Sequence, residues 1–171
     1  MFIELGTFEY HPSQWNRFVS GELWREWAEK HADIFDQRDI QIAATQAGPS
    51  MRLHFHEWLA AVLLYHSYGY LSLVEQYEFK IQERKQQVIK RLLPSEVYNL
   101  VTDHSLSFGK VQCPDLLVYS QDLSDWFFCE VKGPRDRLRE SQTRFFEELA
   151  RVSNKEIRVV RFRTPNLKIP A

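Results

Sequence analysis

The chain reads Cys113-Pro114-Asp115-Leu116-Leu117-Val118-Tyr119, then, past a polar stretch, Trp126-Phe127-Phe128-Cys129-Glu130-Val131-Lys132-Gly133. Two short apolar runs rich in branched and aromatic residues, separated by Gln121-Asp122-Leu123-Ser124-Asp125, predict two buried strands joined by a turn. An acid stands at the start of the first strand, and the second ends in Glu-Val-Lys. Side chains alternate along a strand, so Phe128, Glu130 and Lys132 share one face while Val131 points the other way, into a core. One acid from each of two neighbouring strands offers oxygen donors to a divalent cation, and Lys132 adds a positive charge beside them. That set suits phosphodiester hydrolysis, where a metal ion and a cation stabilise charge developing on the phosphate.

Pro114-Asp115, a gap of fourteen residues and Glu130-Val131-Lys132 resemble the PD-(D/E)xK nuclease superfamily. The longer string Glu130-Val131-Lys132-Gly133-Pro134-Arg135-Asp136-Arg137-Leu138-Arg139-Glu140-Ser141-Gln142 resembles the VRR-NUC family within it. There, a strand ending in E-V-K-G-P is followed by D-x-L-x-x-x-Q at the start of a helix. The likeness runs over residues 109 to 162. It implies an α/β, restriction-endonuclease-like αβββαβ core with a mixed central sheet. It also implies Asp115 and Glu130 as ligands of Mg²⁺ (or Mn²⁺), the main-chain carbonyl of Val131 as a third, and Lys132 as the group that activates water or stabilises the phosphate. The family further places an acid on the first core helix near the metal; Glu57 is the choice, and Glu75 the rival. Gln142 matches the helix glutamine that reaches back to the site. The namesake V-R-R reads Val159-Val160-Arg161 here, so one arginine of the pattern is missing.

At 171 residues, 44% hydrophobic and 14% aromatic, the chain is long and apolar enough to bury a core. No apolar run approaches the roughly 20 residues that cross a bilayer, and Met1-Phe2-Ile3-Glu4 lacks the basic start of a signal peptide. Cys113 and Cys129, beside or within the predicted strands, read as reduced thiols, and a cytoplasmic protein is expected. The net charge is −1, yet residues 132–171 hold eleven Lys/Arg and five acids, a net of +6, leaving −7 for the rest. Positive charge therefore gathers from Lys132 onward, as docking of a phosphate backbone requires. Arg135, Arg137 and Arg139 are the first candidates for that contact. Lys80, Arg84 and Lys85, in the other basic stretch, are the second.

Residues 1–50 read as a helical accessory segment, with Pro12-Ser13 opening a helix along which Trp15, Phe18, Val19, Leu23, Trp24 and Trp27 recur. Gly48-Pro49-Ser50 marks the boundary to a nuclease domain over 51–171. Inside it the periodicity predicts a helix over 56–68 ending at Gly69, a strand over 73–81, helices over 82–93 and from Ser95 through Val101, strands at 116–119 and 126–129, a helix over 139–152 and a strand over 157–162.

Other motifs fail. His54-Phe55-His56-Glu57 invites a zinc reading, but H-E-x-x-H needs a histidine where Ala60 stands. No phosphate loop or G-x-G-x-x-G occurs. The expectation is a divalent-metal-dependent DNA endonuclease, structure-specific on branched or flapped DNA in repair or recombination. The alternatives are a nuclease module of a restriction or phage-defence system and an inactive nucleic-acid-binding domain of the same fold. The resemblance allows a homodimer, or partner proteins that supply specificity.

Overall fold

Leu116–Tyr119 and Trp126–Lys132 are buried along their whole length, because helices cover both faces of the strands they form. The computed structural model describes residues 2–45, 54–74, 77, 82–107 and 113–164. In chain order the elements are β1 (Phe2–Glu9), α1 (Pro12–Val19), α2 (Glu22–Lys30), α3 (Gln37–Thr45), α4 (Phe55–Tyr68), β2 (Leu71–Leu73), α5 (Glu83–Leu92), α6 (Ser95–Ser107), β3 (Leu116–Tyr119), β4 (Trp126–Lys132), α7 (Glu140–Ser153) and β5 (Ile157–Arg163). The sheet runs β1-β5-β4-β3-β2. β5 lies parallel to both β4 and β1, while β2, β3 and β4 pair antiparallel. This is the mixed α/β core expected, with α5 and α6 inserted between β2 and β3.

Period-two alternation divides the strands between two cores. Leu116, Val118, Phe127, Cys129 and Val131 pack with Phe55, Trp58, Leu59 and Val62 of α4 and with Phe18, Trp24 and Trp27 of the first helices. Leu117, Tyr119, Trp126 and Phe128 pack with Ile89, Val97, Val101, Phe145, Phe146 and Leu149 on the other face. A strand buried on both sides reads as a continuous apolar run, which is why the signature region looks so hydrophobic. α4 is apolar nearly all round because it lies at the centre of its layer. It stops at Gly69, whose left-handed φ of 71° lets its N–H reach Tyr65 O at 2.8 Å.

Two expectations are corrected. The first segment is not all helical: Phe2–Glu9 forms an edge strand beside β5, tied by Arg161–Glu4 (2.9 Å) and Arg163–Glu9 (2.8 Å). A register shift between Glu4 and Gly6 breaks the alternation that would have announced it. The strand expected over 73–81 is Leu71–Leu73 in the structure; of the remainder only Val74 and Tyr77 are among the described residues. The proposed boundary at 48–50 also lies outside them.

Arg84 and Lys85, expected as backbone contacts, are both engaged by acids of the N-terminal segment. Lys85 is fully buried, its Nζ 2.7 Å from Asp39 Oδ1 and donating to the Val74 carbonyl as well. Arg84 is half-buried. It pairs with Asp36 through Nε (2.5 Å) and Nη2 (3.1 Å), and donates to Ile34 O and Tyr119 Oη. These pairs pin α5 to the N-terminal helices, and their basic character is consumed inside the fold. Burial pushes the Asp39 carboxyl up to about 6, and Lys85 opposes that rise. Removing one partner strands the other in a medium that tolerates no lone charge. Lys85→Ala or Asp39→Asn should therefore cost about 3–5 kcal/mol at neutral pH, read as a lowered midpoint in denaturant unfolding.

Candidate active site

The antiparallel register sets Leu116 opposite Cys129, so Asp115, one residue before β3, comes beside Glu130 of β4. Its position is fixed twice. The Val131 N–H donates to Asp115 Oδ2 at 2.7 Å, and the buried Tyr77 hydroxyl donates to the Pro114 carbonyl at 2.7 Å. Glu130 has no exposed surface. Its Oε1 lies 2.6 Å from Lys132 Nζ and accepts from Gln142 Nε2 at 2.9 Å. Gln142, in the first turn of α7, also accepts from the Arg139 N–H at 3.1 Å, so its amide is held at both ends.

A cavity of about 440 Å³ gathers Asp115, Glu130, Val131, Lys132, Gln142 and Glu57, with Arg135, Arg137 and Arg139 on its walls. The residues expected to act together are thus brought together. Glu57 enters from the first turn of α4, 3.6 Å from His54 Nδ1. Lys80 and Glu75 lie outside the described residues. His56 and Asp136 also line the cavity, though the sequence reading gave neither a role there. The sequence signal for His56 is its place beside Glu57 at a helix start. A larger cavity, about 570 Å³, opens at the other end of β4 and β5 around Trp126, Lys155 and Arg158. It does not reach the acid pair.

Electrostatics at the acid pair are unfavourable without a cation. Burial first, then the charges of Glu57 and Glu130, raise the Asp115 pKa well above the usual carboxylate range. Burial raises Glu130 too, with Lys132 opposing. Glu130 Oε2 is buried with no hydrogen-bond partner, a costly state for a carboxylate oxygen unless it meets a cation. Among the described residues no three His, Cys, Asp or Glu side chains form a ready metal cage. Two carboxylates with a main-chain carbonyl still fit Mg²⁺, which keeps several waters and rarely takes an all-protein cage.

The raised Asp115 has a stability consequence. Its folded pKa exceeds that of the unfolded chain, so its contribution is fully present below about pH 3.9 and is lost as pH rises through the folded value. In EDTA the chain should lose stability toward neutral pH, and Asp115→Asn should melt higher than wild type at pH 7. That difference should shrink on acidification below the folded pKa of Asp115. A melting series across pH reads it; an Asp115→Asn variant less stable than wild type at pH 7 would contradict the charge repulsion.

No curated protein matches the chain. Among solved structures, paFAN1 bound to a 2-nt 5′-flap DNA with a gap is similar, with 20% identity over 66% of this chain and 20% of that one, at a TM-score of 0.41. The chain thus spans about a fifth of that protein's length. The model of the VRR-NUC domain matches residues 57–163, from the helix acid to the end of β5, and so takes in every carboxylate that lines the cavity: Glu57, Asp115, Glu130 and Asp136. With that match across more than half its length, the chain belongs to the VRR-NUC domain family.

Proposed function

We propose that this chain is a divalent-metal-dependent DNA endonuclease that hydrolyses phosphodiester bonds, with selectivity for branched or flapped DNA. The observation that carries the reading is Glu130: one oxygen held by Lys132 and Gln142, the other buried without a partner, beside Asp115 in a cavity walled by arginines. Asp115 and Glu130, with the Val131 carbonyl, would hold Mg²⁺ or Mn²⁺, and Glu57 would act through water. A divalent ion supplies Lewis acidity toward the phosphate and lowers the pKa of a bound water. Lys132 places a positive charge where the phosphate gains negative charge. Gln142 fixes the Glu130 rotamer, leaving one oxygen free for its task. Arg135, Arg137 and Arg139, all exposed, bind the backbone. An inactive relative that only binds nucleic acid would have little use for so unfavourable a group of buried acids.

Cleavage of linear, nicked, flapped and four-way DNA with Mg²⁺ or Mn²⁺ tests the reading. Activity should vanish in EDTA. Asp115→Ala, Glu130→Ala and Lys132→Ala should each lose on the order of 10²-fold or more while staying folded. Wild-type cutting by Glu130→Ala would end the assignment.

Binding gives a separate check. With Ca²⁺ in place of Mg²⁺, replacing Arg135, Arg137 and Arg139 by alanine should weaken binding to every sequence alike. Each lost contact should lower the slope of log affinity against log salt by about 0.9 on duplex DNA. An unchanged slope would make these arginines a solvated face.

A further inference from the structure

His56 stands beside Glu57 in the first turn of α4 and lines the cavity of the acid pair. Four rings surround its imidazole: Tyr10 at 5.2 Å between centroids, Trp15 at 5.8 Å, Phe55 at 5.2 Å and Phe162 at 5.4 Å. Its Nε2 is buried among these rings and has no hydrogen-bond partner, while Nδ1 lies on the side of Gly133. On the cavity side the chain passes very close at Gly133. A Cβ there would lie 3.0 Å from His56 Cε1, 3.1 Å from its Nδ1 and 3.0 Å from Asp136 Oδ2. Gly133 follows Lys132 directly and is closed into a turn: its N–H donates to Asp136 Oδ2 (3.0 Å) and its carbonyl accepts from the Asp136 N–H (3.2 Å).

We propose that His56 is a positioning residue for the site: clamped by the rings of Tyr10, Trp15, Phe55 and Phe162, it is the wall against which Gly133 packs, and it thereby sets where Lys132 ends. This rests on the nuclease reading. Phe162 comes from β5 and Phe55 from the start of α4, while Tyr10 and Trp15 come from the N-terminal segment; of the four only Phe162 lies within the family match, which begins at residue 57. That segment is then part of the working site, since it holds from behind a ring that lines the cavity of the acid pair. The glycine follows from the same packing. A side chain at this position would need the His56 ring or the Asp136 carboxylate to give by a few tenths of an ångström, and the four rings behind His56 oppose that movement.

A double-mutant cycle on the full chain tests the clamp. His56→Ala, Gly133→Ala and the double variant are compared in single-turnover cleavage with Mg²⁺, in DNA affinity with Ca²⁺, and in thermal midpoint. Each single change should slow the chemical step on the order of tenfold or more, as small misplacements of a catalytic group do, with affinity unchanged. In the double variant the added methyl occupies space the imidazole has left, so the loss should be no greater than that of the worse single variant. Trp15→Leu, at a residue outside the lining of the acid cavity, should also lower the rate at unchanged affinity, and it provides the answer should His56→Ala not fold. Losses that multiply in the double variant, or a Trp15→Leu rate equal to wild type, would overturn the proposal. If the wild-type chain cuts no DNA, it is the nuclease reading that fails. Coupling of the two substitutions in thermal midpoint then still decides whether ring and glycine pack as one unit.

Discussion

The register of β3 against β4 is the constraint on which the site depends. Leu116 opposite Cys129 places Asp115 beside Glu130. The bond from the Val131 N–H to Asp115 Oδ2 then carries the ladder one residue further, with a side chain in place of a backbone carbonyl. A slip of one residue would turn Glu130 and Lys132 into the core that holds Val131. Strands buried on both faces forbid such a slip, because every side chain of β4 already has an assigned place. The hydrophobic sandwich therefore does more than stabilise the fold. It fixes the separation of two carboxylates that would otherwise move apart.

Holding them together is unfavourable in the bare chain. Burial and mutual repulsion raise Asp115, and burial raises Glu130. A single lysine offsets only part of this charge. Two helix starts face the same cavity: Glu57 lies in the first turn of α4 and Gln142 in the first turn of α7. Helix N-termini present partial positive charge and so favour nearby anions. In α7 the apolar residues Phe145, Phe146 and Leu149 begin only after that first turn, which leaves the turn free to be polar over the acids. Local strain of this sort, retained against the general preference for apolar interiors, is what a functional site looks like in an otherwise consistent fold.

Most of the sheet was legible because its strands are short, apolar and bounded by Pro, Gly or polar turns. α4 and α7 were legible from their apolar spacing, and the acid pair from its place at strand ends. β1 was not, because the bulge between Glu4 and Gly6 removes the alternation and its partner strand lies some 150 residues away in sequence. The packing of Tyr10 and Trp15 against His56 was equally hidden. An aromatic stripe on a helix announces that it packs, but only the tertiary structure reveals the surface it meets.

Charge was the least transferable signal, and the reason is geometric. Arg84 and Lys85 look like a nucleic-acid contact in sequence, yet both are paired with acids of the N-terminal segment. The basic end behaves in part the same way. Arg161 and Arg163 meet Glu4 and Glu9 across the sheet edge, Lys155 meets Asp125, and Arg144 meets Glu140. Part of the opposition between an acidic first part and a basic last part is thus satisfied within the fold, and that part cannot attract a phosphate backbone at full strength. Among the described residues, Arg135, Arg137 and Arg139 stand in none of these ion pairs and are exposed. They are also the arginines that wall the acid cavity. The charge count therefore overstates what faces outward, and the proposed backbone contact narrows to the turn that begins at Gly133.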